Sequence, residues 1–274
     1  MRLARFLACC LALPACLYPL APGWCAIPRS AEEIARSLKL HRKMIDERPK
    51  LADITAGPEF TSKFFSGAPW QPSAPSLSLY QQRGDSLCMG LNGVLTTASR
   101  RSQPGLLPLL PGSAPFYVEF TVRLSGNNRD HWPAVWLMPI EHDLRQSDRE
   151  VGDPPKYERW LELDVDEGGF HNGPHGVAIS WKGIWPHYER QISANDKDQP
   201  VLFDRTRWHR FGLSYDPKTL TARWWLDGVE RKSAGPPFIP QIARKHRFFL
   251  IMSAASHAKR LPFEMCVSSV KAFA

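Results

Sequence analysis

A chain of 274 residues with 43% hydrophobic content can bury one large core without relying on metal ions or many disulfides. Its 25 prolines, 18 glycines and ten tryptophans favour many short strands over a helical protein, and flat tryptophan rings also suit contact with sugars. The formal charge of +8 is scattered along the chain. Together with the export signal described next, that pattern argues against a nucleic-acid partner and leaves an acidic polysaccharide open.

The first segment of the chain has the pattern of an export signal. Two arginines precede an apolar run that starts at Phe6, is broken by prolines and gives way to small residues. We therefore expect residues 1–25 to be a secretory signal, too short for stable membrane insertion, and the protein to be secreted, extracellular or periplasmic. A less favoured alternative is a lipoprotein signal, in which Cys16 at the end of Leu-Pro-Ala-Cys carries a lipid anchor.

Four of the six cysteines lie in or beside this signal, so only Cys88 and Cys266 lie deep in the remaining chain. In an oxidising compartment they could form one disulfide, and two separate buried thiols are the alternative. The sequence leaves both interpretations open.

The next segment, residues 26–59, is predicted to be an N-terminal helix and a linker. Residues 30–46 give the one clear helix signal, which opens on a capping box of Ser30 and Glu33 and ends before Pro49. We expect this helix to pack against or tether the domain that follows, without chemistry of its own.

From residue 60 onward the apolar pattern changes to period two, which predicts half-buried strands. The clearest is Phe-Tyr-Val-Glu-Phe-Thr-Val-Arg-Leu at 116–124, and further strands are predicted at 132–138, 159–167, 176–182, 208–215, 220–226, 247–255 and 264–273. Eight or more strands with few helices predict an all-β, two-sheet antiparallel jelly-roll sandwich over residues 60–274, with a short N-terminal helix. We expect a monomer. The long polar loop at 140–157 lies just before an acidic cluster, where a functional loop is common.

The acidic cluster is the sequence Glu-Arg-Trp-Leu-Glu-Leu-Asp-Val-Asp-Glu-Gly-Gly at 158–169. On a strand, Glu162 and Asp164 share one face with Trp160. A regular strand would add Asp166 to that face, whereas a bulge of one residue after Asp164 would bring Glu167 round instead. The sequence alone does not decide which of the two acids joins the pair.

Two carboxylates on one concave face can divide the work of glycoside hydrolysis between a nucleophile and an acid. The alternatives are an exposed acidic strand and a set of carboxylates that chelate calcium. We predict no metal site and no cofactor, with a structural calcium ion as the open alternative.

The segment Glu-Leu-Asp-Val-Asp-Glu at 162–167 resembles the Glu-x-Asp-x-x-Glu signature of glycoside hydrolase family 16, the laminarinase-like endo-β-glucanases. Flanking segments resemble the family in the same order over residues 60–274, among them Trp-Pro-Ala-Val-Trp within 117–139. The resemblance implies a concanavalin-like jelly roll and a retaining mechanism. It also implies that Glu162 is the nucleophile, Asp164 its partner and Glu167 the acid/base.

The resemblance and the pattern together nominate residues that contact the sugar. Trp160 is expected to be a stacking wall, and of Trp132 and Trp136 one is expected to line the cleft while the other packs the core. The remaining substrate-binding candidates are His175, Trp181 and Arg100. Asp166 and Leu161 depart from the residues usual in laminarinases, which leaves the substrate more open than the chemistry.

We therefore expect an exported, retaining, endo-acting glycoside hydrolase whose partner is a polysaccharide, most simply a β-1,3- or β-1,3/1,4-glucan. One alternative is a transglycosylase that remodels a glycan. The other is a non-catalytic carbohydrate-binding protein with the same jelly roll.

Overall fold

The computed structural model describes residues 28–56, 61–99, 103–144, 149–168, 176–193, 203–257 and 261–274. The predicted signal segment, Arg100 and His175 lie outside these residues. The described helices are α1 (Ala31–Ser37) and α2 (Ile140–Leu144). Neither of these two helices has the length and the apolar run that crossing a membrane requires.

The strands follow in chain order. They are β1 (Lys43–Glu47), β2 (Ile54–Thr55), β3 (Phe64–Ser66), β4 (Tyr80–Arg83), β5 (Ser86–Gly90), β6 (Val94–Thr96), β7 (Leu110–Pro111), β8 (Phe116–Leu124), β9 (His131–Pro139), β10 (Glu158–Glu167), β11 (Val177–Ile184), β12 (His187–Ile192), β13 (His209–Asp216), β14 (Thr221–Leu226), β15 (Val229–Ala234), β16 (Arg247–Ser256) and β17 (Glu264–Phe273).

These strands form two sheets. The eight-stranded sheet has the order β15-β14-β13-β8-β17-β5-β4, with β1 beside β17. The nine-stranded sheet has the order β12-β11-β10-β9-β16-β6-β3-β2, with β7 beside β16. All pairs are antiparallel except β2 with β3, which is parallel. The predicted two-sheet jelly-roll sandwich is confirmed, and each strand predicted from the period-two pattern is present.

The main core lies between the sheets and takes the inward side chains of both. On β8, for example, Phe116 and Phe120 point into it. Tyr117 points to the other face of β8 and is buried as well, because α1 packs there and covers it together with Trp225. The N-terminal segment is thus part of the packed structure.

The predicted helix at 30–46 is correct at its start and wrong in its extent. The capping box forms, with the Glu33 amide donating to the Ser30 hydroxyl at 3.2 Å and the Ser30 amide donating to the Glu33 carboxylate at 2.7 Å. The helix ends at Ser37, and Lys39 adopts the left-handed conformation with φ of 61°. Residues 43–47 then form β1 and pair with β17, because the length of β17 beyond its pairing with β5 offers them backbone hydrogen bonds.

The two deep cysteines form a disulfide. Cys88 on β5 lies directly opposite Cys266 on β17, and the two sulfur atoms are bonded. Of the two interpretations that the sequence left open, the disulfide is therefore correct.

Candidate active site

Strand β10 carries the acidic cluster and contains the predicted bulge. It pairs regularly with β9 up to Asp164, and the register resumes at Asp166 with Val165 as the additional residue. The extra residue changes which side chains face outward after it. Glu167 consequently lines the same cavity as Glu162 and Asp164, as the bulged alternative predicts.

Asp166, the acid that the bulge excludes, has a structural role. Its side chain is buried and receives two hydrogen bonds from the Arg205 guanidinium, at 2.6 and 3.0 Å. Each charge is therefore matched in a low-dielectric environment, where an unmatched charge would be costly. The inward residues Leu161, Leu163 and Val165 lie in the main core.

The cavity has a volume of about 340 Å³ and runs from β10 across β9 and β16 towards β6 and β3. Its walls are apolar and aromatic apart from a few polar groups. The lining residues are Ala68, Trp70, Gln71, Val94, Trp132, Ala134, Trp136, Glu162, Asp164, Glu167, Ser253 and Ala255. This combination of aromatic walls and converging polar groups is typical of a ligand site.

The tryptophans of β9 differ from the prediction. Trp132 and Trp136 both line the cavity, because residues four apart on a strand share a face, so neither packs the main core. Trp70 also lines the cavity, is 48% exposed and packs against Trp136 with ring centroids 5.6 Å apart. Trp70 was not among the predicted substrate-binding residues; its only sequence signal is its place within residues 60–274, which resemble the family.

Glu167 is oriented by a tryptophan of the neighbouring strand. The Trp132 indole N–H donates to the Glu167 carboxylate at 2.8 Å. The other side of this indole is occupied, since it stacks on His257 with ring centroids 4.1 Å apart and planes 14° apart. Trp132 therefore holds Glu167 in place as well as lining the cavity.

Glu162 is oriented by a tryptophan on the other side of β10. The Trp181 indole N–H donates to the Glu162 carboxylate at 2.7 Å. Trp181 lies between two neighbours, directly paired with Trp160 on β10 and with Arg190 on β12. Its ring is stacked on Trp160 at 5.5 Å, and the Arg190 guanidinium lies 5.5 Å from the ring centroid.

The prediction that Trp160 forms a stacking wall for sugar is wrong. Its side chain is buried, with Trp181 on its ring at 5.5 Å and His142 stacked at 3.8 Å. His142 comes from α2, at the start of the polar segment 140–157 that precedes the acidic cluster. Trp160 thus supports the indole that holds Glu162 and is covered from ligand.

The three carboxyl groups affect one another's protonation. Burial raises the pKa of Glu162 to about 7; the Trp181 hydrogen bond opposes this rise and the charge of Glu167 adds to it. Burial, and then the charges of Glu162 and Glu167, raise the pKa of Asp164 well above its usual value. Burial also raises the pKa of Glu167, against the Trp132 hydrogen bond.

Asp164 is consequently expected to be protonated at neutral pH. Its Oδ2 atom is buried and has no hydrogen-bond partner among the described residues. A proton on this carboxyl removes one negative charge from between the two glutamates. Within the described ranges, no three His, Cys, Asp or Glu side chains converge as ligands for a metal ion.

The sequence matches no family model and no curated protein, but solved structures resemble the fold. One comes from work on endo-acting O-glycanases that prominent members of the human gut microbiota express to initiate mucin breakdown. It is 15% identical, with a TM-score of 0.51 and coverage of 85% of this chain and 99% of that one. Another is a GlcNAcα1-4Gal-releasing endo-β-galactosidase from Clostridium perfringens, 11% identical, with a TM-score of 0.51 and coverage of 85% and 61%.

The laminarinase catalytic domain from Thermotoga maritima is also similar, at 15% identity, a TM-score of 0.45 and coverage of 71% of this chain and 80% of that one. At these identities, the two structures with a TM-score of 0.51 show a shared fold. The names of both describe endo-acting enzymes that degrade glycans.

Proposed function

We propose that the protein is a retaining, endo-acting glycoside hydrolase related to family 16. The observation that carries this proposal is the bulge at Val165, which aligns Glu162, Asp164 and Glu167 on one wall of an aromatic cavity. A strand that only presented acids to solvent would need neither the bulge nor an indole donor on each glutamate.

In the first step, an ionised Glu162 oxygen bonds to the anomeric carbon as the glycosidic C–O bond breaks. Glu167 transfers its proton to the departing oxygen, so the product is a glycosyl ester of Glu162. We assign the charge to Glu162 from its place in the family-16-like motif; the Trp181 N–H, His142 and Arg190 favour its ionised form, against burial and the charge of Glu167, which raise its pKa to about 7. Repulsion between the two glutamates keeps one proton on the pair, which we assign to Glu167.

In the second step, Glu167 accepts a proton from a water molecule whose oxygen bonds to the anomeric carbon. The ester bond to Glu162 breaks, and the carboxylate is regenerated. Two displacements at the same carbon restore the original configuration.

The aromatic cavity supports a polysaccharide as substrate. Trp70 and Trp136 present ring surface beside the carboxylates, where a sugar face can stack. We propose cleavage of internal bonds, with a β-1,3- or β-1,3/1,4-glucan as the first chain to test. We also propose that the enzyme acts outside the cytoplasm; the signal pattern and the Cys88–Cys266 disulfide support this location.

The experiment is reducing-end release from laminarin, lichenan, agarose and carrageenan, with wild type beside Glu162→Gln and Glu167→Gln. We expect wild type to release reducing ends from at least one chain. Glu167→Gln should lose about 10²-fold to 10⁴-fold in rate, the usual range for removing an acid/base group, and Glu162→Gln, which lacks the nucleophile, should lose at least as much. Longer products without new reducing ends would indicate a transglycosylase and not a hydrolase. Binding of a polysaccharide without release of reducing ends from any chain would indicate a non-catalytic carbohydrate-binding protein.

A further inference from the structure

The face of the nine-stranded sheet that carries the carboxylates continues beyond them onto β11 and β12. In the paired register, Trp160, Trp181 and Arg190 stand side by side on three adjacent strands. Strands in a sheet are about 4.8 Å apart, so the backbone of β12 lies about 10 Å from that of β10. A polysaccharide that extends from the cavity across β10 therefore passes β12.

Within the described part of the chain, Arg190 differs from the cations nearby in having no carboxylate in contact. On the opposite face, one position away in the register, Lys182 of β11 pairs with Glu189 of β12 at 3.2 Å. Arg159 and Arg205 are likewise paired with aspartates, at 2.7 and 2.6 Å. Among the residues that the structure describes, Arg190 has no carboxylate within ion-pair distance, and its side chain is exposed.

The guanidinium is nevertheless held in a defined place. It lies over the Trp181 ring, 5.5 Å from the centroid, and the residue is exposed on β12. Its charge acts on the reacting carboxylates, because it opposes the rise that burial causes in the pKa of both Glu162 and Glu167. An arginine so placed presents a planar fork of donors to whatever occupies the cleft.

We propose that Arg190 binds an anionic substituent, a sulfate ester or a carboxylate, on a sugar of the substrate about two strands beyond Glu162. A guanidinium matches both groups with two parallel hydrogen bonds. The inference rests on the proposed function and names its substrate class, an anionic glycan in place of an unsubstituted glucan. The scattered positive charge of the chain would also favour such a substrate.

The test measures binding without turnover. Glu162→Gln, which is expected not to cleave, is compared with Glu162→Gln carrying Arg190→Gln or Lys182→Gln. Affinity is measured by electrophoresis through gels that contain laminarin, laminarin sulfate or carboxymethyl laminarin, and through a second matched set of desulfated and native carrageenan. Lys182→Gln is the control, because it removes a cation of the same strand pair from the opposite face.

We expect tighter binding to an anionic chain than to its neutral counterpart, and a loss of about tenfold with Arg190→Gln, the size of one charge-assisted contact. Lys182→Gln should leave the affinity unchanged for both the anionic and the neutral chain. Preference for laminarin sulfate over carboxymethyl laminarin assigns a sulfate, and the reverse assigns a carboxylate.

Equal affinity for the anionic and neutral chains, or an equal effect of Arg190→Gln on both, would overturn the inference. Failure of wild type to release reducing ends would instead count against the proposed hydrolase. The two failures are distinguishable because the binding measurement requires no turnover.

Discussion

Replacing Trp181 with phenylalanine isolates the hydrogen bond that holds Glu162. Phenylalanine keeps an aromatic ring between Trp160 and Arg190 and removes the N–H that donates to the carboxylate at 2.7 Å. This donor stabilises the ionised form of Glu162, so its loss raises the pKa of that group. A hydrogen bond to a charged group contributes about 1.5–3 kcal/mol, which corresponds to about one to two pH units.

The assay is the pH dependence of kcat/KM on a polysaccharide that the wild type cleaves. The acidic limb should move to higher pH by that amount, because an ionised nucleophile is required in the free enzyme. Below neutral pH kcat/KM should fall by about tenfold to a hundredfold. The deficit should narrow only on the alkaline side of neutrality, because the wild-type pKa of Glu162 is already about 7 and the replacement raises it further.

The control is Trp185→Phe, since Trp185 is 76% exposed at the turn between β11 and β12 and has no contact with either glutamate. It should leave the limb in place. An acidic limb that stays where it is in Trp181→Phe, or moves to lower pH, would refute the role given to the indole N–H.

Three further predictions concern stability. Asp166→Asn leaves the Arg205 charge buried without its partner and should lower the free energy of unfolding by about 3–5 kcal/mol, measured by urea denaturation; a double replacement by apolar residues should recover part of the loss. The folded-state pKa of Glu162 is raised from 4.5 to about 7. Ionisation of this group therefore lowers the free energy of unfolding as the pH rises from 4.5 to about 7. Glu162 is half-buried in the cleft, so solvent reduces the effect. Glu162→Gln should be more stable than wild type above pH 7 by about 1–2 kcal/mol and no more stable below pH 4.5, as measured by thermal unfolding at both pH values. Joint replacement of Cys88 and Cys266 by alanine opens a link across 178 residues and should cost about 2–5 kcal/mol, and a reductant should destabilise only the wild type.

The sequence predicted those parts of the molecule that depend on local pattern. Period-two alternation located the strands. The order of residues 162–167 was sufficient to predict a bulge as one of two alternatives. The bulge was predictable because only an extra residue places Glu167 on the same face of the strand as Glu162 and Asp164. Its position at Val165 came from the pairing with β9.

What the sequence missed depends on partners that are distant along the chain. Residues 43–47 read as helix by local periodicity, yet their backbone pairs with β17 at the other end of the chain. Trp160 lies on the predicted face, but its neighbours on that face are His142 and Trp181, which no pattern within β10 could reveal. Trp70 reaches the site only because β3 and β9 belong to the same sheet.

The most direct test of the proposed mechanism is the anomeric configuration of the first product, followed by proton NMR during cleavage of a β-linked chain from the substrate panel. If Glu162 forms a glycosyl ester that water then opens, the new reducing end appears first as the β-anomer and mutarotates later. First appearance of the α-anomer would mean a single displacement by water, and would contradict the assignment of Glu162 as nucleophile.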